Sequence, residues 1–199
     1  MSTPYLDTAA EIGRRLVREA IWHEGLCNWV GALPEPGPGD SIAITYAALG
    51  GDLYGGTSGV ALYLAELYLA TGEESLRATA LGALRQALSS SRELDEHSRV
   101  ALYAGGLGVA LVAARVAALL GEQEPLAALP SLTDVAPTAD GERDLMSGDA
   151  GAVLALLALE RLTGEQALRE RACAFGEQLL ASARERSGML SWASLGAPG

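Results

Sequence analysis

Aromatic side chains are scarce in this chain: they make up 5% of its 199 residues, and phenylalanine occurs once. A sugar-cleaving α/α enzyme wants aromatics along its cleft beside paired carboxylates, so that class is disfavoured. β-Branched residues are thin beside Ala and Leu, which favours helix over sheet. Basic residues are outnumbered, 14 against 25 acidic, for a net charge of −11. With no basic stripe, nucleic acid is excluded as a partner. Cysteine occurs only at Cys27 and Cys173 and histidine only at His23 and His97, with no paired metal-ligand spacing, so no metal site is expected. His23 and Cys27 are four apart, but Gly25 interrupts any helix between them. Long hydrophobic runs are also missing. The apolar stretches are too short for a bilayer and are broken by Arg115 or closed by Glu160 and Arg161, so no membrane partner is expected. The first segment carries Glu11, Arg14, Arg15, Arg18 and Glu19 and does not read as a secretory signal. A soluble, cytoplasmic protein with unpaired cysteines is expected.

What is abundant is glycine, 24 residues, and its placement is patterned. A glycine-rich phrase is written three times: Asp52-Leu-Tyr-Gly-Gly-Thr-Ser-Gly-Val-Ala-Leu62, Ala101-Leu-Tyr-Ala-Gly-Gly-Leu-Gly-Val-Ala-Leu111 and Asp144-Leu-Met-Ser-Gly-Asp-Ala-Gly-Ala-Val-Leu154. The anchor glycines Gly56, Gly105 and Gly148 are 49 and 43 residues apart, the period of a repeat architecture. Each phrase opens an apolar run that ends at Thr71-Gly72, Gly121 or Thr163-Gly164, a helix with a glycine stop. Thr57 or Ser58 is the expected cap of the first. More charged segments follow and read as outer, one-sided helices.

The predicted organisation is one α/α domain over 1–199. It has an opening helix over 5–24, a Pro/Gly loop over 33–40, helical-hairpin repeats over 52–90, 101–130 and 144–184, and a frayed tail over 187–199. In the second repeat Pro125, Pro130 and Pro137 erode the return helix. Hairpins arrayed about a common axis make an incomplete α/α toroid, a half-barrel with glycine-rich inner-helix N-termini. Such a truncated array leaves an apolar face open. With a mean hydropathy of +0.19, that predicts a homodimer or docking on another protein.

Helix N-termini present free amides and partial positive charge, so the residues beside each glycine pair are the candidate site. Superposed, the phrases give one column of Asp52, Ala101 and Asp144 and another of Tyr54, Tyr103 and Met146. The carboxylates are candidates for proton transfer, or serve the helix dipole only. The tyrosines either position substrate or pack. His97, in the polar stretch before the second phrase, is either a second proton carrier or a solvated surface residue. Asp149 reads as a first-turn acid. The amides of Gly55, Gly56, Gly105, Gly106, Ser147 and Gly148 form a rim able to hold an oxyanion.

At these phrases the chain resembles the lanthionine synthetase C-like family, the cyclases of lanthipeptide biosynthesis. Cys27-Asn-Trp-Val-Gly31 is similar to a phrase in the cyclase domains of the bifunctional synthetases. The resemblance implies an α/α toroid of seven hairpin layers, about twice this length. It also implies Michael addition of a peptide cysteine to dehydroalanine or dehydrobutyrine. The family's zinc ligands, two cysteines and a histidine, and a catalytic histidine belong to the second half of that toroid. The sequence at hand reaches Gly199 before any of them, so no cofactor is carried over. The acidic residue opening a mid-chain glycine phrase falls on Asp144. Two readings follow: a shortened cyclase working without zinc, or a non-catalytic half that binds the dehydrated precursor peptide or completes a partner. Stand-alone cyclases of this length suit pathways with separate kinase and lyase enzymes, which are then candidate partners. Arg14 and Arg15 either meet an acidic leader peptide or face solvent.

Overall fold

The computed structural model describes residues 4–37, 39 and 41–192. An opening helix α1 (Pro4–Glu19) leads into two antiparallel hairpins, β1 (Ile21–His23) with β2 (Leu26–Asn28) and β3 (Val30–Pro36) with β4 (Ile42–Ala48). The first repeat is α2 (Thr57–Thr71) and α3 (Glu74–Ser90). A short α4 (Glu96–Val100) precedes α5 (Gly106–Leu120), followed by a 3-10 turn and the four-residue α6 (Leu129–Leu132). The third repeat is α7 (Asp149–Thr163) and α8 (Gln166–Ser182), and a last hairpin joins β5 (Arg184–Arg186) to β6 (Met189–Ser191).

The three inner helices α2, α5 and α7 have 15 residues each. They stand side by side in chain order, α5 packing against both others. That position explains why α5 is apolar nearly all round: Leu107, Val109, Val112 and Val116 are all buried. α3 and α8 back α2 and α7 and seat Leu76, Leu84, Leu168 and Phe175 in the core. Gly72, Gly121 and Gly164, equivalent in the three repeats, close the inner helices with left-handed φ of 73, 70 and 76°. There only glycine is free of strain.

The molecule is mainly helical, consistent with the expected all-α class, and three short two-stranded hairpins are minor additions to it. The stretch 33–40 is not simply a loop. Residues 33–36 belong to β3, including Pro34 and Pro36, because a two-stranded ribbon has no third strand to need an outward-facing donor. Pro38 and Asp40 lie outside the described residues. The opening helix ends at Glu19. The segment expected to continue it to 24 turns back instead at Glu24 and Gly25, both at positive φ (48 and 82°), as a tight hairpin turn requires. Met189–Ser191, expected to fray, is paired to β5; residues 193–199 lie outside the described residues. Thr57 and Ser58 are not caps but the first residues of α2, with Gly56 at the cap position and no side-chain cap bond. Among the described residues no helix is long and apolar enough to cross a membrane.

Candidate functional site

The repeated columns are physical neighbours. The Tyr54 amide donates to the Tyr103 carbonyl at 2.9 Å, and the Tyr103 amide to the Met146 carbonyl at 3.0 Å. Backbone hydrogen bonds thus tie the three glycine phrases together at the same position in each. Each phrase then folds over the start of its own helix: Thr57 donates to Gly50 (2.8 Å) and Asp149 to Glu142 (2.9 Å), while Gly108 and Gly151 donate to Ala101 and Asp144 (both 3.3 Å). This close approach explains the second glycine of each phrase. A methyl at Gly59, Gly108 or Gly151 would strike the carbonyl oxygen of Leu53, Leu102 or Leu145.

That packing changes the expected oxyanion rim. Gly56, Gly105, Gly106 and Gly148 are buried beneath the preceding turn. The Gly55 amide is taken by Asp52 Oδ1 (2.7 Å), and those of Met146 and Ser147 by Asp144 Oδ1 (2.5 and 3.0 Å). Of the six amides that the sequence offered for substrate, those of Gly55 and Ser147 are bonded to Asp52 and Asp144, and the other four belong to buried glycines.

The five candidate side chains do not share one hollow. Tyr54, 78% exposed, walls an open groove of about 910 Å³ with Tyr5, Ile12, Leu16 and Tyr63. Asp52 borders a separate hollow of about 180 Å³ with Ser90, Ser91 and Gly105. The third phrase holds the denser chemistry. His97, Glu142 and Ser147 line a cavity of about 120 Å³ with Glu96, Thr138 and Asp140, and the protonated Glu142 carboxyl can donate to Asp144 beside it. Glu142 is exposed as a residue, yet partial desolvation of its carboxyl raises it above the usual glutamate range, helped by the bond to and charge of Asp144 and opposed by His97. Burial acts to raise Asp144 too. The Ser147 and Met146 amides and the Glu142 bond outweigh it, so the Asp144 carboxyl stays below its ordinary value. A carboxyl pair pushed apart in this way separates one proton holder from one anion.

Glu142 was not among the sequence candidates. The signal was present: its equivalents in the other two repeats are Gly50 and Arg99, so the third repeat alone carries a second carboxylate. Asp149 is also more than a first-turn acid. It is 2% exposed and ion-paired with Arg143, itself 9% exposed. Arg143 also donates to the Ala139 carbonyl at 2.8 Å, latching the 138–143 loop to the start of α7. Burial raises the Asp149 carboxyl, and Arg143 pulls it back. Arg14 and Arg15 are engaged with Glu73 (2.5 Å) and Glu19 (2.8 Å).

The cysteines and histidines do not fit a zinc site. Cys27 is buried, its Sγ 3.5 Å from the Thr79 carbonyl, and burial pushes its thiol up to about 12. His23 is exposed at the β1–β2 turn and Cys173 exposed on α8. No group of three or more His, Cys, Asp or Glu among the described residues is placed to hold a metal ion, whereas zinc needs three or four converging ligands.

Helical hairpins are joined side by side through repeated glycine phrases, and an acidic residue, Asp144, opens the third. The family model described as lanthionine synthetase C-like protein matches residues 47–195. The chain belongs to the lanthionine synthetase C-like family. No curated protein matches it in sequence.

Proposed function

We propose that this protein closes thioether rings in a dehydrated precursor peptide, adding a cysteine thiol across the double bond of a dehydroalanine or dehydrobutyrine. The observation that carries this reading is the His97–Glu142–Asp144 cluster at the third glycine phrase of a chain in this family. In the addition, the thiol proton passes to a ring nitrogen of His97 acting as general base. The sulfur bonds to the β-carbon, and the electron pair of the double bond moves onto the α-carbon and its carbonyl. Glu142, which keeps its proton longer than an ordinary glutamate, protonates that centre and then takes back the proton held on His97, so both groups are reset. Asp144, fixed by two amides, orients Glu142 and balances the charge at His97. Atoms are conserved, so peptide mass does not change. Positioned acid–base groups are worth roughly 10²- to 10⁴-fold, and holding thiol and alkene together contributes more. Every proton moves between groups the chain supplies, so the reaction is proposed to be metal-independent.

Tyr54 and the groove it shares with α1 are proposed to hold the peptide, and Tyr103 to shape the approach between that groove and the third phrase. The groove also favours a second reading, in which the chain binds the precursor for another enzyme without closing rings. Incubating purified protein with a dehydrated, cysteine-containing peptide, with and without chelator, separates the two. Loss of free thiol at constant mass supports the cyclase. Saturable binding with every thiol retained supports the binding module.

A toroid continued beyond the third repeat is also proposed. At equivalent positions Ala61 and Ala110 are fully buried, while Val153 on α7 is only partly covered and Leu154 is 53% exposed. A further hairpin, or a pathway kinase or lyase, would cover that edge.

A further inference from the structure

One face of the β3–β4 hairpin carries no charged side chain. The register pairs Ala32 with Tyr46, Pro34 with Ile44 and Pro36 with Ile42, with Val30 ending the row. Residues two apart in a strand share a face, so these side chains stand together, and each residue is exposed. Ile42 is 74% exposed, Tyr46 73%, Val30 59% and Ile44 58%. The opposite face carries Glu35, bonded to Thr45 at 2.9 Å. The hairpin is held at its base, where Leu49 donates to Trp29 (3.0 Å) and the Trp29 indole to Leu16 (2.9 Å). Beyond that base neither strand packs extensively on another described element. A lone two-stranded ribbon is marginal in water, and an uninterrupted apolar face makes it costlier still.

We propose that this face is where a second copy of the chain docks, hairpin against hairpin about a two-fold axis. Charge at the face permits that occupant, with salt screening the repulsion between the two copies. Each copy carries a net −11, and an uncharged face lets two like-charged molecules meet without burying carboxylates. Shape does too: sheet faces stack about 10 Å apart, and an isologous contact closes at two copies. Paired strands of this length span about 24 by 10 Å. With the exposures above they bury roughly 500 Å² per copy, about 1,000 Å² in total, at the lower bound for a specific interface. The dimer is therefore weak, forming over the micromolar range. It shares no residue with the His97–Glu142–Asp144 cluster and holds whether or not the chain makes thioethers.

Sedimentation of the full chain from about 1 to 500 µM tests it, alongside three variants. Ile44→Thr/Tyr46→Thr keeps strand-favouring residues but removes most of the apolar face. Ala43→Lys places a charge on the opposite face, across from Glu35, and Leu154→Glu charges the open edge of α7. The expected result is a monomer–dimer equilibrium weakened at least tenfold by the double threonine variant and unchanged in the other two. Circular dichroism confirms that helix content is retained. A wild type that stays monomeric throughout overturns the proposal. So does a dimer that survives the threonine variant, or one that falls with Leu154→Glu instead. If the wild type is monomeric and the threonine variant loses affinity for the precursor peptide, the face belongs to the peptide and the proposal also fails.

Discussion

Asp149→Ala separates two physical accounts of one residue. As a first-turn acid favouring the helix dipole, Asp149 would contribute about 0.3–1 kcal/mol. As the partner of Arg143 it matters far more, because both side chains are almost fully withdrawn from water. Removing the carboxylate leaves a guanidinium inside the protein with only the 138 and 139 carbonyls for company. Breaking a buried pair from one side costs about 3–5 kcal/mol, a large share of the 5–15 kcal/mol typical of a whole domain. With a urea dependence of about 2 kcal/mol per molar, the midpoint should fall by roughly 2 M at unchanged slope. Arg143→Met combined with Asp149→Leu should recover most of the loss, since no unpaired charge remains. A loss under about 1 kcal/mol for Asp149→Ala, or a double variant no better than the single, would refute the latch.

Three further outcomes follow from the same geometry. Gly108→Ala should destabilise the protein by more than about 2 kcal/mol, since the methyl meets the Leu102 carbonyl. Gly176→Ala, within α8 with nothing in reach of its added carbon, should stabilise it by about 0.5–1 kcal/mol; urea midpoints of both variants check the contrast. Activity should fall as pH rises through the raised value of Glu142, because the acid must keep its proton, and Glu142→Gln should abolish that limb along with roughly 10²-fold or more of the rate; a pH profile of ring closure shows it. Glu73, held below its ordinary value by Arg14, and Asp95, held down by the Ser98 amide, favour the folded state above about pH 4.5. Their contribution disappears as pH falls through the lowered values, so acid titration of stability should show a decline below that point, weakened by salt.

The helical frame was legible because its signals are local. Three glycine stops, each at left-handed φ, and three apolar runs of equal length fix the inner helices whatever surrounds them. The hairpins were not legible. Pro34 and Pro36 read as loop because a proline signal cannot tell an isolated ribbon from irregular chain, and the turn at Glu24 and Gly25 looked like a helix stop. The columns Tyr54–Tyr103–Met146 and Asp52–Ala101–Asp144 came from superposing the repeats, and backbone bonds join the first column directly. What superposition missed lies just outside the repeated phrase. Glu142 and Arg143 precede it by one or two positions, and their partners Asp144 and Asp149 are set by how tightly the loop closes on α7. The amide rim rested on the same local signal, and two of its six amides, those of Gly55 and Ser147, are bonded to Asp52 and Asp144. Helix starts look open in a sequence, but here the preceding turn folds back and takes the donors.

The most direct measurement is free-thiol loss in a dehydrated precursor peptide incubated with purified wild type and with Asp144→Asn. Asparagine keeps an oxygen able to accept the Met146 and Ser147 amides but cannot carry the charge, so the fold is retained while the proton relay is not. Wild type should consume thiols at constant peptide mass, and Asp144→Asn should do so at least about 10²-fold more slowly with an unchanged unfolding midpoint. Equal rates in the two proteins, or binding by wild type with every thiol still free, would contradict the central claim.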